Sequence, residues 1–228
     1  GLQIIDISNP FNPTLTGTYN TSGDALGVTV SGNYAYVADW ASGLQIIDIS
    51  NPSNPTLIGT FNTSGSAIGV TVNGNYAYVA DYDDGLQIID ISNPSNPTLT
   101  GTYNTSGQAY GVSVNGNYAY VSDYNDGLQI IDISNPSNPT LTGTYNTSGQ
   151  ARGVTVNGNY AYVADRGSGL QIIDISTPYA PTFTATYNTS GYAYGVSVNG
   201  NYAYVADDAA GLQIIDIALG CTLDSLIL

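Results

Sequence analysis

Residues Gly69–Asn104 read GVTVNGNYAYVADYDDGLQIIDISNPSNPTLTGTYN. Apolar and aromatic side chains recur at every second position in short runs, as in Val70 and Val72, Tyr76 and Tyr78, or Leu86 and Ile88. That is the period of a strand, and Gly, Asn and Pro bound each run. Four strands are therefore predicted: A over 69–72, B over 75–81, C over 85–92 and D over 97–104. Asn73-Gly74 joins A to B, and the positive φ available there predicts a tight type I′ hairpin. Strand C carries Ile88, Ile89 and Ile91 on both alternating faces, so each small sheet must be covered on both sides.

The same unit runs head to tail through the chain, starting at Gly1, Gly43, Gly85, Gly127 and Gly169 with a partial copy at Gly211, a period of 42 residues. Four-stranded units of about 40–45 residues in series are the mark of a β-propeller blade, whereas solenoid repeats are usually shorter. The predicted fold is an all-β propeller of five four-stranded blades in one domain over 1–217, followed by a tail at 218–228. One C strand is surplus. In the simplest ring, Gly1–Ser8 and Thr14–Asn20 supply strands C and D to the last A and B, and the termini clasp, leaving a spare C-terminal strand. Alternatively the apolar tail completes the last blade and the N-terminal C and D strands are free. Either way a half-blade keeps unpaired edges, which are templates for another chain.

The segments L-Q-I-I-D-I-S, N-P-S-N-P and G-N-Y-A-Y-V-A-D resemble the LVIVD-repeat family of bacterial and archaeal surface proteins, over Gly1 to about Ile217. Glutamine and isoleucine replace residues of the family's name-giving segment here, as at Gln3 and Ile5. The resemblance implies a propeller at a cell surface, and it brings no catalytic residues with it.

The acidic groups are seventeen aspartates, set against two arginines and no lysine or histidine, for a net charge of −15. Such a surface repels phosphate backbones and anionic headgroups, so neither nucleic acid nor membrane is an expected partner. No apolar run approaches the roughly 18 residues needed to span a bilayer. No signal-like segment precedes Gly1 and no initiating Met is present, which suggests a processed mature protein or a piece of a longer one. The lone Cys221 reads as a free thiol, or as a link to a second chain in an oxidising compartment.

The copies differ at few places. One variable set precedes strand A, at Asp24, Ser66, Gln108, Gln150 and Tyr192 and, two residues on, at Leu26, Ile68, Tyr110, Arg152 and Tyr194. The other heads the B–C loop, at Trp40, Tyr82, Tyr124, Arg166 and Asp208. In a propeller the D–A and B–C connections emerge on one face, so variation gathers on one rim. Trp40, Tyr82, Tyr110, Tyr124, Arg152, Arg166, Tyr194 and Asp208 form its candidate binding surface, rich in the residue types that dominate recognition energetics. Drift in solvent-exposed loops is the competing reading. Arg152 and Arg166 share a unit and are expected close together, as a positive spot suited to a partner's carboxylate.

Each unit also carries an Asn-Thr-Ser acceptor, at Asn20, Asn62, Asn104, Asn146 and Asn188, on a polar stripe with Thr98, Thr100 and Thr102 opposite Leu99 and Tyr103. Asp39, Asp81, Asp123, Asp165 and Asp207 end strand B, and carboxylate pairs run glycoside hydrolysis in other proteins. Acid–base work needs carboxyls in unlike environments, whereas these are equivalent by repetition, and accepting backbone N–H groups is the expected role. Asp81, Asp83 and Asp84 bring hard oxygens together as a calcium candidate, although the closing glutamate is lacking. Without histidine neither a Ser-His-Asp triad nor a zinc site can be built, and no cofactor motif is present. The expected function is a non-enzymatic, extracellular or cell-surface structural or adhesive propeller that assembles with copies of itself. A monomeric module recognising a glycan or protein ligand through the rim is the alternative.

Overall fold

The computed structural model describes residues 1–218, and the tail at 219–228, with Cys221, lies outside the described residues. Strands β1 (Leu2–Asp6) and β2 (Thr14–Tyr19) form a two-stranded sheet. Blade I comprises β3 (Gly27–Ser31), β4 (Tyr34–Ala38), β5 (Leu44–Asp48) and β6 (Thr56–Phe61). Blade II comprises β7 (Ala67–Asn73), β8 (Tyr76–Asp81), β9 (Gly85–Asp90) and β10 (Thr98–Tyr103). Blade III has β11 (Gly111–Asn115), β12 (Tyr118–Ser122), β13 (Leu128–Asp132) and β14 (Thr140–Tyr145), and blade IV has β15 (Gly153–Asn157), β16 (Tyr160–Ala164), β17 (Leu170–Asp174) and β18 (Thr182–Tyr187). Blade V has three strands among the described residues, β19 (Gly195–Asn199), β20 (Tyr202–Ala206) and β21 (Leu212–Asp216), with a 3₁₀ turn at Asp208–Ala210. The protein is a five-bladed β-propeller of antiparallel sheets with a spare terminal sheet.

The spare sheet is N-terminal. Strand β20 takes β21 as its neighbour, in the register Tyr204↔Ile214, so the N-terminal pair does not supply the C and D strands of the last blade. Leu212–Asp216 follows β20 after a short turn, whereas Leu2–Asp6, the same sequence, must arrive from the far end of the chain; the shorter loop costs less closure entropy.

Two local expectations change as well. Asn73 pairs with Tyr76, so the A–B hairpin has Gly74-Asn75 as its loop, and only Gly74 has positive φ, +59°. Positive φ at the first loop residue alone is the type II′ pattern rather than type I′. In β10 the register shifts between Leu99 and Gly101. This bulge breaks the strict alternation expected for strand D, and Leu99 is 49% exposed rather than turned inward.

The core lies between blades. Tyr36, Ala38, Leu44 and Ile46 of blade I meet Ala77, Val79, Ile89 and Ile91 of blade II, and equivalent layers join II to III, III to IV and IV to V. Each sheet thus has a leading face of Tyr, Ala (Ser122 in blade III), Leu and Ile and a trailing face of Ala, Val and two Ile. Burying one such isoleucine contributes about 1.5–3 kcal/mol. The β1–β2 sheet docks on the trailing face of blade I, where Leu2 and Tyr19 pack against Ala35, Val37 and Ile47.

Among the described residues the ring is open between blades V and I. Gly27, Gly69, Gly111 and Gly153 each lie where a Cβ would come within 2.5–2.9 Å of the next blade's backbone carbonyl, whereas Gly195 of blade V faces only its own Ala206. On blade I, Val28 and Val30 are 56% and 61% exposed.

Candidate functional site

Strand B of every blade ends in an aspartate with no exposure. In blade III, Asp123 Oδ1 accepts from Thr105 Oγ1 at 2.7 Å and Oδ2 from the Gly107 N–H at 2.9 Å. Asp81 takes Thr63 and Gly65, and Asp165 takes Thr147 and Gly149. Each carboxylate therefore ties the Asn-Thr-Ser-Gly turn that leads into strand A to the B–C loop of the same blade. A glutamine in strand C braces the loop's other side, as Gln129 Nε2 donates to the Asp126 carbonyl at 2.9 Å. Asp81 is spent on these bonds, and among the described residues no group of three acidic side chains is placed to hold a metal ion. The acceptor asparagines Asn20, Asn62, Asn104, Asn146 and Asn188 are all exposed.

The aspartates set the pH dependence of stability. Burial raises the carboxyls of Asp81, Asp123 and Asp165 above the ordinary 3.8, against the opposing Thr and Gly hydrogen bonds. Hydrogen bonds from Ser8, Ser50, Ser92, Ser134 and Ser176 lower Asp6, Asp48, Asp90, Asp132 and Asp174. The raised group favours the fold fully below 3.8 and loses that contribution as pH rises through the folded values. The lowered group favours it above 3.8 and loses it as pH falls through theirs. The urea midpoint should therefore rise as pH falls from 7 through the raised folded values, and fall again once pH drops below the ordinary 3.8 towards the lowered ones. A midpoint that falls steadily from pH 7 downward would show that the buried carboxyls do not govern it.

The loops these aspartates hold carry the variable rim. Trp40 forms a two-way backbone bridge with Ala67 of the next blade, N–H to carbonyl at 3.0 and 3.1 Å. Tyr82 meets Ala109, Tyr124 meets Ala151 and Arg166 meets Ala193 in the same manner. Because only main-chain atoms bridge, the side chain is free to change from unit to unit. The B–C loops and D–A connections do share one face, as predicted. Trp40, Tyr124 and Arg166 hold φ of +49°, +44° and +42°, a left-handed geometry that costs of order 1 kcal/mol each and aims the side chains off the sheet. Asp208 has the same geometry, +44°, but no bridge to Ala25 forms across the open junction among the described residues.

Side chains that vary independently in sequence come together here. The rings of Trp40 and Tyr82 lie 6.0 Å apart, those of Tyr82 and Tyr110 5.3 Å, and those of Tyr110 and Tyr124 5.3 Å. The Arg152 guanidinium carbon stands 4.0 Å over the Tyr110 ring and 5.3 and 5.4 Å from those of Tyr124 and Tyr194. Arg166 stacks at 4.8 Å on Tyr192 and donates from Nη1 to Gln150 Oε1 and to the Tyr124 hydroxyl. The two arginines thus converge on Tyr124. The Nε of each is buried with no hydrogen-bond partner among the described residues. Burial, then a hydrogen bond with Tyr82, pushes the Tyr110 hydroxyl up to about 12, against the pull of Arg152. It stays protonated at any physiological pH. Behind these groups opens a cavity of about 830 Å³ on the propeller axis, walled by the first strands of all five blades, with Trp40, Tyr110, Arg152 and Tyr194 in its lining.

Seven of the eight rim candidates therefore gather in one continuous set, and Asp208 stands at the open junction. Gln150, Tyr192 and Ser122 are further contributors. Ser122 occupies a place held by Ala38, Ala80, Ala164 and Ala206 in the other blades. It is fully buried, and its hydroxyl donates to the Arg152 carbonyl at 2.7 Å. The signal was one serine among four alanines.

The LVIVD repeat matches residues 1–21, 22–63, 64–105, 106–147, 148–189 and 190–218 in six successive copies. The chain belongs to the LVIVD-repeat family. The copies tile all described residues, and each internal copy runs from a D–A connection to the end of strand D, so the family's unit spans one blade. No curated protein matches the chain. Among solved structures, this LVIVD-repeat propeller is similar to the computationally designed protein Ika8, with TM-score 0.72 and 8% identity, over 92% of this chain and 64% of that one. A functionally unknown protein from Desulfotomaculum acetoxidans DSM 771 aligns with TM-score 0.71 and 16% identity, over 89% of this chain and 72% of that one. The designed Ika4 aligns with TM-score 0.58 and 8% identity, over 68% of this chain and 94% of that one. At these identities the likeness concerns the fold alone.

Proposed function

We propose that this LVIVD-repeat propeller is a non-enzymatic structural or adhesive component of the extracellular or cell-surface space that joins copies of itself head to tail. One observation carries the reading. Leu44, Leu86, Leu128 and Leu170 on the leading faces of blades I to IV have no exposure, whereas Leu212 on blade V is 63% exposed, with Ile214 at 62% and Tyr202 at 46%. At the other end of the chain Ile5 and Ile7 on the trailing face of the β1–β2 sheet are 50% and 71% exposed. Leading and trailing faces of these types bury each other at every junction in the ring, so the two ends are complementary and a second copy fits them. Gly1–Ile7 and Gly211–Ile217 are the same heptapeptide, GLQIIDI, and β1 and β21 each keep one edge with no neighbouring strand among the described residues, where a strand of another copy can add. The absence of histidine, the equivalent strand-end aspartates and the exposed sequon asparagines agree with a non-catalytic, secreted role.

Sedimentation tests this. The protein is expected to exceed its chain mass of 23.7 kDa as concentration rises, and Leu212→Asp with Ile214→Asp, at sites exposed in the monomer, should return it to that mass. A wild-type protein that stays at the chain mass throughout would overturn self-assembly.

A second reading, recognition of a ligand at the rim, is favoured by Arg152 standing among three tyrosine rings at the cavity mouth with no hydrogen bond at Nε. Alanine at Trp40, Tyr82 and Tyr124 should abolish binding to any responsive member of a glycan panel, and unchanged binding would remove the reading.

A further inference from the structure

Resting on that second reading, we propose that the mouth of the axial cavity binds a sugar bearing a single carboxylate on an otherwise uncharged body, with Arg152 as its counter-ion. The chain has seventeen aspartates against two arginines, yet among the described residues the Arg152 guanidinium meets aromatic faces instead of a carboxylate. Stacking engages the face of a guanidinium and leaves its in-plane N–H groups for a planar, two-oxygen acceptor, the geometry a carboxylate satisfies. Arg166, by contrast, is held by Gln150 and Tyr124 and serves to orient Tyr124.

The repeat symmetry is broken at this spot on two levels. Arginine occupies a place that is Leu26, Ile68, Tyr110 and Tyr194 in the other units, and beneath it the single serine, Ser122, bonds to its carbonyl. Ser122 is thus a positioning residue for Arg152, because its bond fixes the backbone from which the guanidinium extends.

The body of the ligand follows from what surrounds the charge. The rings of Trp40, Tyr82, Tyr110 and Tyr124 form a continuous series, and such surfaces receive the C–H faces of sugar rings as well as apolar groups. A cavity near 830 Å³ falls within the range of small-molecule sites. The body must be otherwise neutral, since a net charge of −15 repels each further negative group, and a polyuronate would meet that field along its length.

Trp40, the chain's one tryptophan, lines the cavity, so its fluorescence reports entry of a ligand. The probes are methyl glucuronide and methyl glucoside, which differ at one carbon, and an N-acetylated tyrosine bearing a free carboxylate. Methyl glucuronide is expected to shift Trp40 emission saturably in the millimolar range, at least about tenfold more tightly than the glucoside. Arg152→Leu should erase the difference between the two sugars. Arg152→Lys, which keeps the charge and loses the fork, should reduce it, with circular dichroism confirming that both variants are folded. Ser122→Ala should weaken glucuronide binding while leaving glucoside binding unchanged. Equal binding of the two sugars, or full discrimination retained in Arg152→Leu, would overturn the carboxylate assignment and leave rim recognition standing. Binding of the acetylated tyrosine with no response to glucuronide would overturn the sugar assignment in favour of a peptide terminus. Silence toward all three probes overturns the proposal, and the glycan panel then decides separately whether the rim recognises any ligand.

Discussion

Replacing Asp123 with alanine is expected to destabilise the protein by about 3 kcal/mol, measured as a shift in the urea unfolding midpoint at constant slope. The carboxylate has no exposure and accepts from the Thr105 hydroxyl and the Gly107 N–H at once. A hydrogen bond to a charged acceptor is worth about 1.5–3 kcal/mol, and both donors would be left in a site that water enters poorly. Release of the buried charge offsets part of the sum, since burial already raises the Asp123 carboxyl. Asp123→Asn retains one acceptor in the same volume and should cost about half as much. Asp132 is the control in the same blade. Its hydrogen bonds come only from the neighbouring Ser134, and its removal should cost about 0.5 kcal/mol. Equal stability of wild type and Asp123→Ala would mean that the loop is held by its backbone alone, and the repeated shape of the rim loops would need another cause.

The second large effect concerns one methyl group. Adding a Cβ at Gly101 places it 2.2 Å from the Pro136 carbonyl oxygen of the next blade and 3.2 Å from Pro139 Cδ. Gly59 faces Pro94 and Gly143 faces Pro178 in the same way, at 2.0 and 2.2 Å. The obstacle is backbone, so no rotamer change relieves it, and either the strand or the Asn-Pro turn must move. Gly101→Ala should therefore cost about 3 kcal/mol or separate blades II and III locally, with raised amide exchange in β10 and in the 134–139 turn. Blade IV already carries alanine at this place, Ala185, and in the sequence no Asn-Pro pair recurs after Asp216. Ala185→Gly is accordingly expected to change stability by only about 0.5 kcal/mol. Tolerance of Gly101→Ala at full stability would show that blade spacing is set by the isoleucine layers rather than by this contact.

These two sites show which parts of the molecule were legible in the residues. The strand-end aspartates were readable as loop-end acceptors because repetition makes them equivalent, and the structure supplies the partners, Thr105 and Gly107 among them. The Gly101 contact was invisible, because its partner Pro136 belongs to the following blade and nothing local distinguishes that glycine from one in a turn. The type II′ hairpin at Gly74-Asn75 and the bulge after Leu99 were also misread locally, since both depend on how two strands register against each other.

The rim divides along the same line. Its membership could be read from the positions at which the copies differ, because a position that varies while its neighbours stay constant is one whose side chain the fold does not use. Gln150 and Tyr192 were read as variable positions but not as part of the binding surface, and Ser122 was not singled out, because each acquires its role only through contact with an arginine.

By itself the sequence determined the blade, the number of blades, the face on which variation gathers and the exclusion of histidine-based chemistry, since all of these follow from short-range periodicity and composition. The tertiary structure decided that β21 rather than β1 completes strand C of the last blade, that among the described residues the ring is open between blades V and I, and that Arg152 stands among three tyrosines. Two copies of one heptapeptide compete for a single edge at β20, and three rings from blades III and V reach one guanidinium on blade IV. Identical local sequence cannot rank such alternatives, because the energies that separate them come from chain connectivity and from contacts between residues far apart in the chain.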